Sequence, residues 1–185
     1  MNSFFGALLA GGKSQRMGRD KCLLEMDDQL LWQRQFSLFQ EIGVPACLLA
    51  PERPEWCPED LHWLPDVAPG NGPLGGLAAA LAASPVDRVI LLGVDLPQMT
   101  SLYLKKLQDA SSPGIGVVPK LDNLFQPLTA IYPTKSLPHV MAHLASPDKS
   151  FQNLLKKLAA VGEMRILPVD ESERALFRNL NSPGD

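Results

Sequence analysis

The chain has 185 residues, of which 45% are hydrophobic, so it is long enough to form one domain with a full hydrophobic core. Its formal net charge of -3 excludes a general electrostatic attraction to nucleic acid or to an anionic membrane. We therefore predict a single domain over residues 1–185 with no nucleic-acid or membrane partner. The local basic residues are then expected to bind a small anionic ligand.

The cysteines indicate a reducing compartment. Cys22, Cys47 and Cys57 are odd in number and include no C-x-x-C pair, which disfavours a disulfide framework and a zinc site. No run approaches the roughly 18 apolar residues of a membrane span. The short apolar run near the N-terminus lacks the preceding basic residues of a signal peptide. We expect a cytoplasmic protein.

The predicted elements alternate between strands and helices. Apolar runs predict strands over residues 4–10, 44–50, 62–64, 88–94, 115–119, 127–132 and 164–169. Helical spacing predicts helices over residues 30–42, 77–83, 101–107, 135–144 and 151–161. This alternation predicts the α/β class: a three-layer α/β/α sandwich around a Rossmann-like, mostly parallel sheet.

A loop rich in glycine and basic residues follows the first predicted strand. It contains Gly11, Gly12, Gly18, Lys13, Arg16, Arg19 and Lys21. Glycines allow a tight turn whose backbone N–H groups form a concavity for phosphate oxygens, and the cations neutralise a polyphosphate. The spacing fits neither G-x-G-x-x-G nor the P-loop G-x-x-x-x-G-K-[ST]. We favour a triphosphate-binding loop over a solvated glycine turn.

Two aspartates follow predicted strands. Because parallel sheets bind ligands at the carboxyl ends of their strands, Asp66, Asp95 and the glycine-rich loop are expected to share one crevice. Asp95 would hold Mg²⁺, which one or two carboxylates and substrate phosphates commonly bind. The alternative for Asp95, a helix cap, is disfavoured because Thr100 and Ser101 stand closer to the next helix. Asp66 alone is more typical of a residue that stabilises its own turn.

A second glycine-rich stretch precedes the helix predicted over residues 77–83. Its residues are Gly72, Pro73, Leu74, Gly75 and Gly76. Such a loop could present backbone donors and acceptors to a nucleotide base, or form a tight turn before a closely packed helix. The sequence does not separate these two interpretations, and no serine or cysteine nucleophile stands in a recognisable catalytic context.

Several segments together resemble the molybdenum cofactor guanylyltransferases (the MobA family), which share the nucleotidyltransferase fold of sugar-nucleotide pyrophosphorylases. The similar segments run in the family order from the first strand to the last residues. They are L-A-G-G at residues 9–12, R-M-G at 16–18, D-K at 20–21, 66–76 with G-P-L-G-G, V-D-L-P at 94–97, Q-P-L at 126–128 and N-L-N-S-P at 179–183.

The resemblance implies transfer of GMP from GTP to the molybdenum-molybdopterin cofactor, giving molybdopterin guanine dinucleotide and pyrophosphate with Mg²⁺. It assigns catalytic roles to Arg16, Lys21 and Asp95, with Asp95 as the metal ligand. Nucleotide contacts are expected from Leu9, Ala10, Gly11, Gly12, Lys21, Asp66, Pro73, Leu74, Gly75 and Asp95. Pterin contacts are expected from Asn179 and Asn181. Transient contacts with cofactor-synthesis proteins or molybdoenzymes are implied as well.

Alternatives and departures from the family remain open. A relative could transfer CMP from CTP to the pterin, although Gly12 favours the guanylyl type because the cytidylyl relatives look more like L-A-A-G. Another small nucleotidyltransferase and a non-catalytic nucleotide-binding accessory protein are the other candidates. Family members often carry an asparagine where this chain has Ala50 and Pro51. Gly93 is smaller than the residue expected there.

Overall fold

The computed structural model describes residues 4–10, 20–67 and 70–180, and these form ten β-strands and five α-helices. The strands are β1 (Phe5–Leu9), β2 (Glu25–Met26), β3 (Gln29–Leu30), β4 (Ala46–Leu49), β5 (Trp63–Leu64), β6 (Arg88–Gly93), β7 (Gly116–Leu121), β8 (Leu124–Phe125), β9 (Thr129–Pro133) and β10 (Met164–Pro168). The helices are α1 (Leu31–Glu41), α2 (Pro73–Ala83), α3 (Ser101–Ala110), α4 (Leu137–Ala145) and α5 (Phe151–Ala160). Short 3-10 helices cover Lys21–Leu23, Thr134–Ser136 and Glu171–Phe177.

One sheet organises these elements, in the order β10-β7-β9-β6-β1-β4-β5, with β8 paired to β7. Strand β1 pairs in parallel with β4 and β6, and the pairs β4–β5 and β7–β10 are parallel too. Strand β9 runs antiparallel to both β6 and β7. The predicted mostly parallel sheet is confirmed, with β9 as the reversed strand inside it.

Helices cover both faces of the sheet. Successive side chains of β1 point to opposite faces, so Leu9 joins one apolar cluster and Leu8 joins the other. Helices α2, α4 and α5 contribute to the first cluster, for example through Leu77, and α1 and α3 contribute to the second, for example through Phe39 and Leu104. The three-layer α/β/α arrangement is therefore confirmed.

The boundaries differ from the prediction mainly at α2. This helix begins at Pro73, so the stretch predicted as a glycine-rich loop is its first turn. Proline suits that position because the first helical residue needs no backbone N–H donor and its φ is already helical. Gly72, at φ +59°, is the residue before the helix, a backbone conformation that glycine adopts without strain. Glycine content alone thus misplaced the helix start.

None of the helices in the described ranges is long and apolar enough to cross a lipid bilayer.

Candidate active site

The carboxyl ends of β1, β4, β5 and β6 meet at one edge of the sheet. Leu9, the last residue of β1, is aligned with Leu49 of β4 and with Gly93 of β6. Asp66 and Asp95 follow β5 and β6 and therefore emerge at this edge, as the strand order requires. This edge is the candidate active site.

Lys21 is presented by a short 3-10 helix that Asp20 caps. One carboxylate oxygen of Asp20 accepts a hydrogen bond from the Cys22 backbone N–H at 3.0 Å, and the other accepts from the Trp56 indole at 2.8 Å. The Cys22 thiol donates to the carbonyl of Ala10 at 3.4 Å, which ties this helix to the end of β1. Asp20 therefore has a structural role in placing Lys21, a role that the sequence did not suggest.

Leu180 joins the two charged residues of the predicted site, although it lies far along the chain. The ammonium of Lys21 donates to the Leu180 carbonyl at 2.9 Å, and the Leu180 N–H donates to the Asp95 carbonyl at 3.0 Å. Because Asn179 is the next residue toward the N-terminus and is exposed, it lies at the same edge. Residues 179 and 180 are thus part of the candidate site.

Asp95 is a partly buried carboxylate at the end of β6. Burial raises the pKa of its carboxyl, while its own backbone N–H and the positive charge of Lys21 act in the opposite direction. It is not a helix cap, because the Thr100 hydroxyl accepts the hydrogen bond from the Tyr103 N–H at the start of α3. A carboxylate kept in a partly buried place without a structural task is a candidate ligand or catalytic group.

Gly93 makes room for that carboxylate. A Cβ atom at this position would lie 2.7 Å from Asp95 Oδ1 and 3.2 Å from Leu128 Cβ. The small residue that departs from the family expectation is therefore explained by the space that Asp95 occupies. The Gly93 N–H also donates to the Leu128 carbonyl at 2.8 Å, which brings the Q-P-L segment to the same edge.

Asp66 faces the first turn of α2. A Cβ atom at Gly76 would lie 3.3 Å from Asp66 Oδ1 and 2.7 Å from Leu9 Cδ2, so the glycine permits close packing of the helix, the strand end and the carboxylate. Burial raises the pKa of the Asp66 carboxyl. The N-cap residue of α2, Gly72, has no side chain that could cap the helix. Its first turn and Asp66 therefore form one wall of the site.

The structure also shows which predicted contacts can involve side chains. Leu9 and Leu74 are buried in the apolar core, whereas Pro73 is exposed, so Pro73 presents the most accessible of these three side chains. Ala10 and Gly75 are buried as well.

Four of the predicted site residues are not part of the described structure. Gly11, Gly12, Arg16 and Asn181 lie outside the described residues, and their roles stay predictions.

The backbone of Ala50 is already engaged at the place where family members often carry an asparagine. Its N–H donates to the Leu64 carbonyl at 3.4 Å, and its carbonyl accepts from the Trp63 indole at 3.1 Å. The N–H of Ala50 is therefore used within the sheet, whereas its carbonyl keeps one lone pair.

Two residues of α1 that the sequence analysis did not select contact the segment after β6. The side-chain amide of Gln35 donates to the Leu96 carbonyl at 2.9 Å, and Nε of Arg34 donates to the Pro97 carbonyl at 2.9 Å. Gln35 lies four residues after Leu31, on the buried face of the helix. A polar residue on an apolar helix face was the available signal.

Within the described residues, no group of three or more histidine, cysteine, aspartate or glutamate side chains could hold a metal ion by itself. The candidate metal ligand is thus Asp95, with Asp66 as a second carboxylate at the same edge. This donor set fits Mg²⁺, which typically takes one or two carboxylates together with substrate phosphates, and does not fit a metal that needs a complete protein cage.

Lys21, Asp66 and Asp95 lie at the carboxyl edge of a mostly parallel sheet, which is where open α/β folds bind their ligands. A family model described as the MobA-like NTP transferase domain matches residues 6–161. The chain therefore belongs to the MobA-like NTP transferase family and is a nucleotidyltransferase.

Individual relatives agree with this assignment. The chain is 34% identical over 184 residues to a probable molybdenum cofactor guanylyltransferase of Opitutus terrae, covering 97% of this chain and 91% of the relative. It is 37% identical to a protein of the same name from Deinococcus radiodurans, covering 97% and 90%. The crystal structure of molybdopterin-guanine dinucleotide biosynthesis protein A from Archaeoglobus fulgidus matches with a TM-score of 0.76 at 19% identity, covering 97% of this chain and 93% of that one. The last comparison supports the fold alone.

Proposed function

We propose that this protein transfers GMP from GTP to the molybdenum-molybdopterin cofactor, forming the guanine dinucleotide and pyrophosphate. The junction at Leu180 is the observation that carries the proposal, because Leu180 hydrogen-bonds both Lys21 and Asp95 and is the chain neighbour of Asn179. Groups for a triphosphate, a metal ion and an acceptor then occupy one edge of the sheet. The curated relatives, named molybdenum cofactor guanylyltransferase, supply the identity of the nucleotide and the acceptor.

The phosphates of GTP bind to cations of the loop after β1. Lys21 and Arg16 neutralise the triphosphate, and glycine at positions 11 and 12 permits a close approach of phosphate because it carries no Cβ atom. Lys21 has three N–H donors, one of which is engaged by the Leu180 carbonyl, so its ammonium can contact a phosphate and keep that bond.

The nucleoside lies against the wall formed by Asp66 and the start of α2. The buried residues of this wall, Leu9, Ala10, Leu74 and Gly75, form the packed base against which the nucleotide lies, and Pro73 contributes an exposed ring. Asp66 offers a carboxylate that accepts hydrogen bonds from the nucleotide.

Asp95 is the residue that would hold Mg²⁺, together with phosphate oxygens of the substrate. The ion, when bound, supplies positive charge that stabilises the phosphate oxygens during transfer. Burial raises the pKa of the Asp95 carboxyl, because it disfavours the ionised form. A bound cation favours the ionised form, so cation binding and ionisation of Asp95 promote each other.

The reaction needs positioning and charge stabilisation more than covalent work by the protein. A terminal phosphate oxygen of the pterin cofactor forms a bond to the α-phosphorus of GTP, and the bond from that phosphorus to the oxygen of the β-phosphate breaks. Pyrophosphate leaves in line with the attack, with Lys21 and Arg16 neutralising its charge. Asn179 and Asn181 orient the pterin. The nucleophile is already anionic, so no general base is required.

Three other functions are the alternatives to this one. A CTP-dependent molybdopterin cytidylyltransferase would use the same edge with a different base, and another small nucleotidyltransferase would use a different acceptor. A non-catalytic accessory protein would bind nucleotide without needing Lys21, Arg16 and Asp95 together. Contacts with cofactor-synthesis proteins or molybdoenzymes, and a cytoplasmic location, stay predictions.

The direct test is to incubate the protein with GTP, Mg²⁺ and molybdenum-molybdopterin and to measure both products, pyrophosphate and the dinucleotide. Asp95→Ala is expected to abolish turnover, and Lys21→Ala is expected to lower kcat/KM by about 100-fold or more, the usual loss on removing a charge-stabilising group. Asp109→Ala and Lys105→Ala, at exposed positions of α3, are the matched controls and should leave turnover unchanged. Undiminished activity of Asp95→Ala would contradict the assignment.

A further inference from the structure

The backbone that carries Asp95 is fixed by three donors from elsewhere in the chain. The carbonyls of residues 95, 96 and 97 accept hydrogen bonds from the Leu180 N–H, the Gln35 amide and the Arg34 guanidinium, at 3.0, 2.9 and 2.9 Å. Two of these donors are neighbouring side chains of one helix, α1, so two hydrogen bonds join this helix to the segment.

Gln35 is an unexpected residue at its position. It is 0% exposed, and its amide oxygen has no hydrogen-bond partner among the described residues. A buried, unsatisfied polar atom is unfavourable for stability, so a hydrocarbon side chain would suit the core better. The orientation of the amide is fixed by chemistry, because a carbonyl oxygen only accepts and the Leu96 carbonyl must therefore face the amide nitrogen.

The hydrogen bond from Gln35 is not needed to satisfy Leu96. The Leu96 carbonyl already accepts from the Met99 N–H at 3.0 Å within the turn before α3. The second bond therefore orients the Leu96–Pro97 peptide, one residue beyond Asp95, without rescuing an orphaned group. Gln35 thus lowers stability through its unpaired amide oxygen, although the Leu96 carbonyl does not need its hydrogen bond. Residues that lower stability in this way are commonly kept for function.

We infer that Gln35, assisted by Arg34, is a positioning residue of the reaction: its amide holds the Leu96 carbonyl, one residue after Asp95, and thereby restricts the direction of the Asp95 carboxylate. This inference rests on the proposed function, because it requires Asp95 to bind the metal and nucleotide. Hydrogen-bonded supports of metal-binding residues typically change metal affinity by about 10- to 100-fold when removed.

Arg34 acts on the adjacent carbonyl and is itself held by an exposed ion pair with Asp27, at 3.3 Å between Nη1 and Oδ2. Asp27 lies in the turn between β2 and β3, where its φ is +52°. An exposed ion pair of this kind contributes little by itself, so the bond to the Pro97 carbonyl is the contact that matters.

The test uses Gln35→Met, which keeps the length of the side chain and removes the donor. We expect Mn²⁺ affinity of the protein–GTP complex, measured by electron paramagnetic resonance, to fall about 10-fold or more, with kcat falling in parallel and the KM for GTP nearly unchanged. The melting temperature should equal or exceed that of the wild type, because the unsatisfied amide oxygen is removed. Gln40→Met, the same substitution at an exposed position of α1, should leave every quantity unchanged.

Arg34 provides a second, independent variant pair. Arg34→Met should weaken Mn²⁺ binding in the same direction, and Arg34→Lys, which retains a donor for the Pro97 carbonyl, should restore part of it. Wild-type Mn²⁺ affinity and kcat in Gln35→Met would overturn the inference. A decrease in Mn²⁺ binding and kcat that is fully explained by the fraction of unfolded Gln35→Met protein would overturn it as well.

Asp95→Ala, measured beside these variants, separates the inference from the proposed function. Loss of Mn²⁺ binding in Asp95→Ala together with wild-type behaviour of Gln35→Met would overturn the positioning role alone. Unchanged Mn²⁺ binding in Asp95→Ala would overturn both.

Discussion

The sharpest perturbation of the candidate site is Gly93→Ala, because it adds one methyl group beside the Asp95 carboxylate. The new Cβ atom would lie 2.7 Å from Asp95 Oδ1, about 0.7 Å inside the 3.4 Å at which ordinary contact begins. Leu128, with its Cβ at 3.2 Å, limits movement of the methyl group in the other direction. We therefore expect the carboxylate to rotate away from its present position.

The expected loss follows from that displacement. A misplacement of about 1 Å in a catalytic constellation costs on the order of 100-fold in rate, so about 0.7 Å predicts a 10- to 100-fold fall in kcat, or about 1.4 to 2.7 kcal/mol of transition-state stabilisation. The stability cost should be smaller, about 1 kcal/mol, because the displaced group is the end of one side chain forced off its rotamer.

The assay compares kcat, the Mg²⁺ concentration for half-maximal rate, and urea unfolding of Gly93→Ala with those of Gly6→Ala. Gly6 lies in the neighbouring strand β1, where a Cβ atom would meet the Phe39 ring at 2.6 Å and Ala46 Cβ at 2.8 Å. Overpacking there should lower the free energy of unfolding by about 1 to 3 kcal/mol and leave the Mg²⁺ dependence intact. A Gly93→Ala variant with the wild-type kcat and Mg²⁺ dependence would refute the reasoning.

Three further predictions concern other parts of the same edge. Gly76→Ala should raise the KM for GTP more than it lowers kcat, because its Cβ would lie 2.7 Å from Leu9 Cδ2 and 3.3 Å from Asp66 Oδ1. An unchanged KM in steady-state kinetics would argue against the wall formed by Asp66 and the first turn of α2 as the nucleotide site. Asp95→Asn should raise the free energy of unfolding at neutral pH, because burial raises the carboxyl pKa in the folded state, and this gain should disappear as the pH falls through that raised pKa. Urea titrations at several pH values measure the gain, and a difference independent of pH would contradict the stated cause. Burial raises the pKa of the Cys47 thiol to about 12, so a disulfide reagent at pH 8 should label it only after unfolding, and rapid labelling of the native protein at Cys47 would be inconsistent with the packing.

The sequence predicted the elements whose signals are local. Strand β6 is a continuous apolar run, and α3 has a cap at Thr100 and helical spacing, so both were located close to their observed bounds. The direction of β9 was not predictable in this way, because an apolar run reads the same in either direction and its pairing depends on the path of the chain. The start of α2 was misplaced because glycine permits a loop but does not require one.

Some residues of the candidate site were likewise predictable from the sequence, and others were not. Asp66 and Asp95 were located by the rule that parallel sheets bind ligands at strand ends, which needs only the order of the elements. The contacts of Leu180 with Lys21 and Asp95 join positions separated by up to 159 residues and could not be read from spacing. The function of Gly93 likewise depends on an atom of Asp95 that only packing places beside it.

The central claim is that this nucleotidyltransferase uses GTP and transfers GMP to the pterin cofactor. The most direct measurement is dinucleotide formation from molybdenum-molybdopterin and Mg²⁺ with GTP, CTP, ATP and UTP supplied in turn and then in competition. We predict that GTP alone supports efficient turnover and that the product carries guanine. Preferential use of CTP, with a cytosine dinucleotide as product, would contradict the claim.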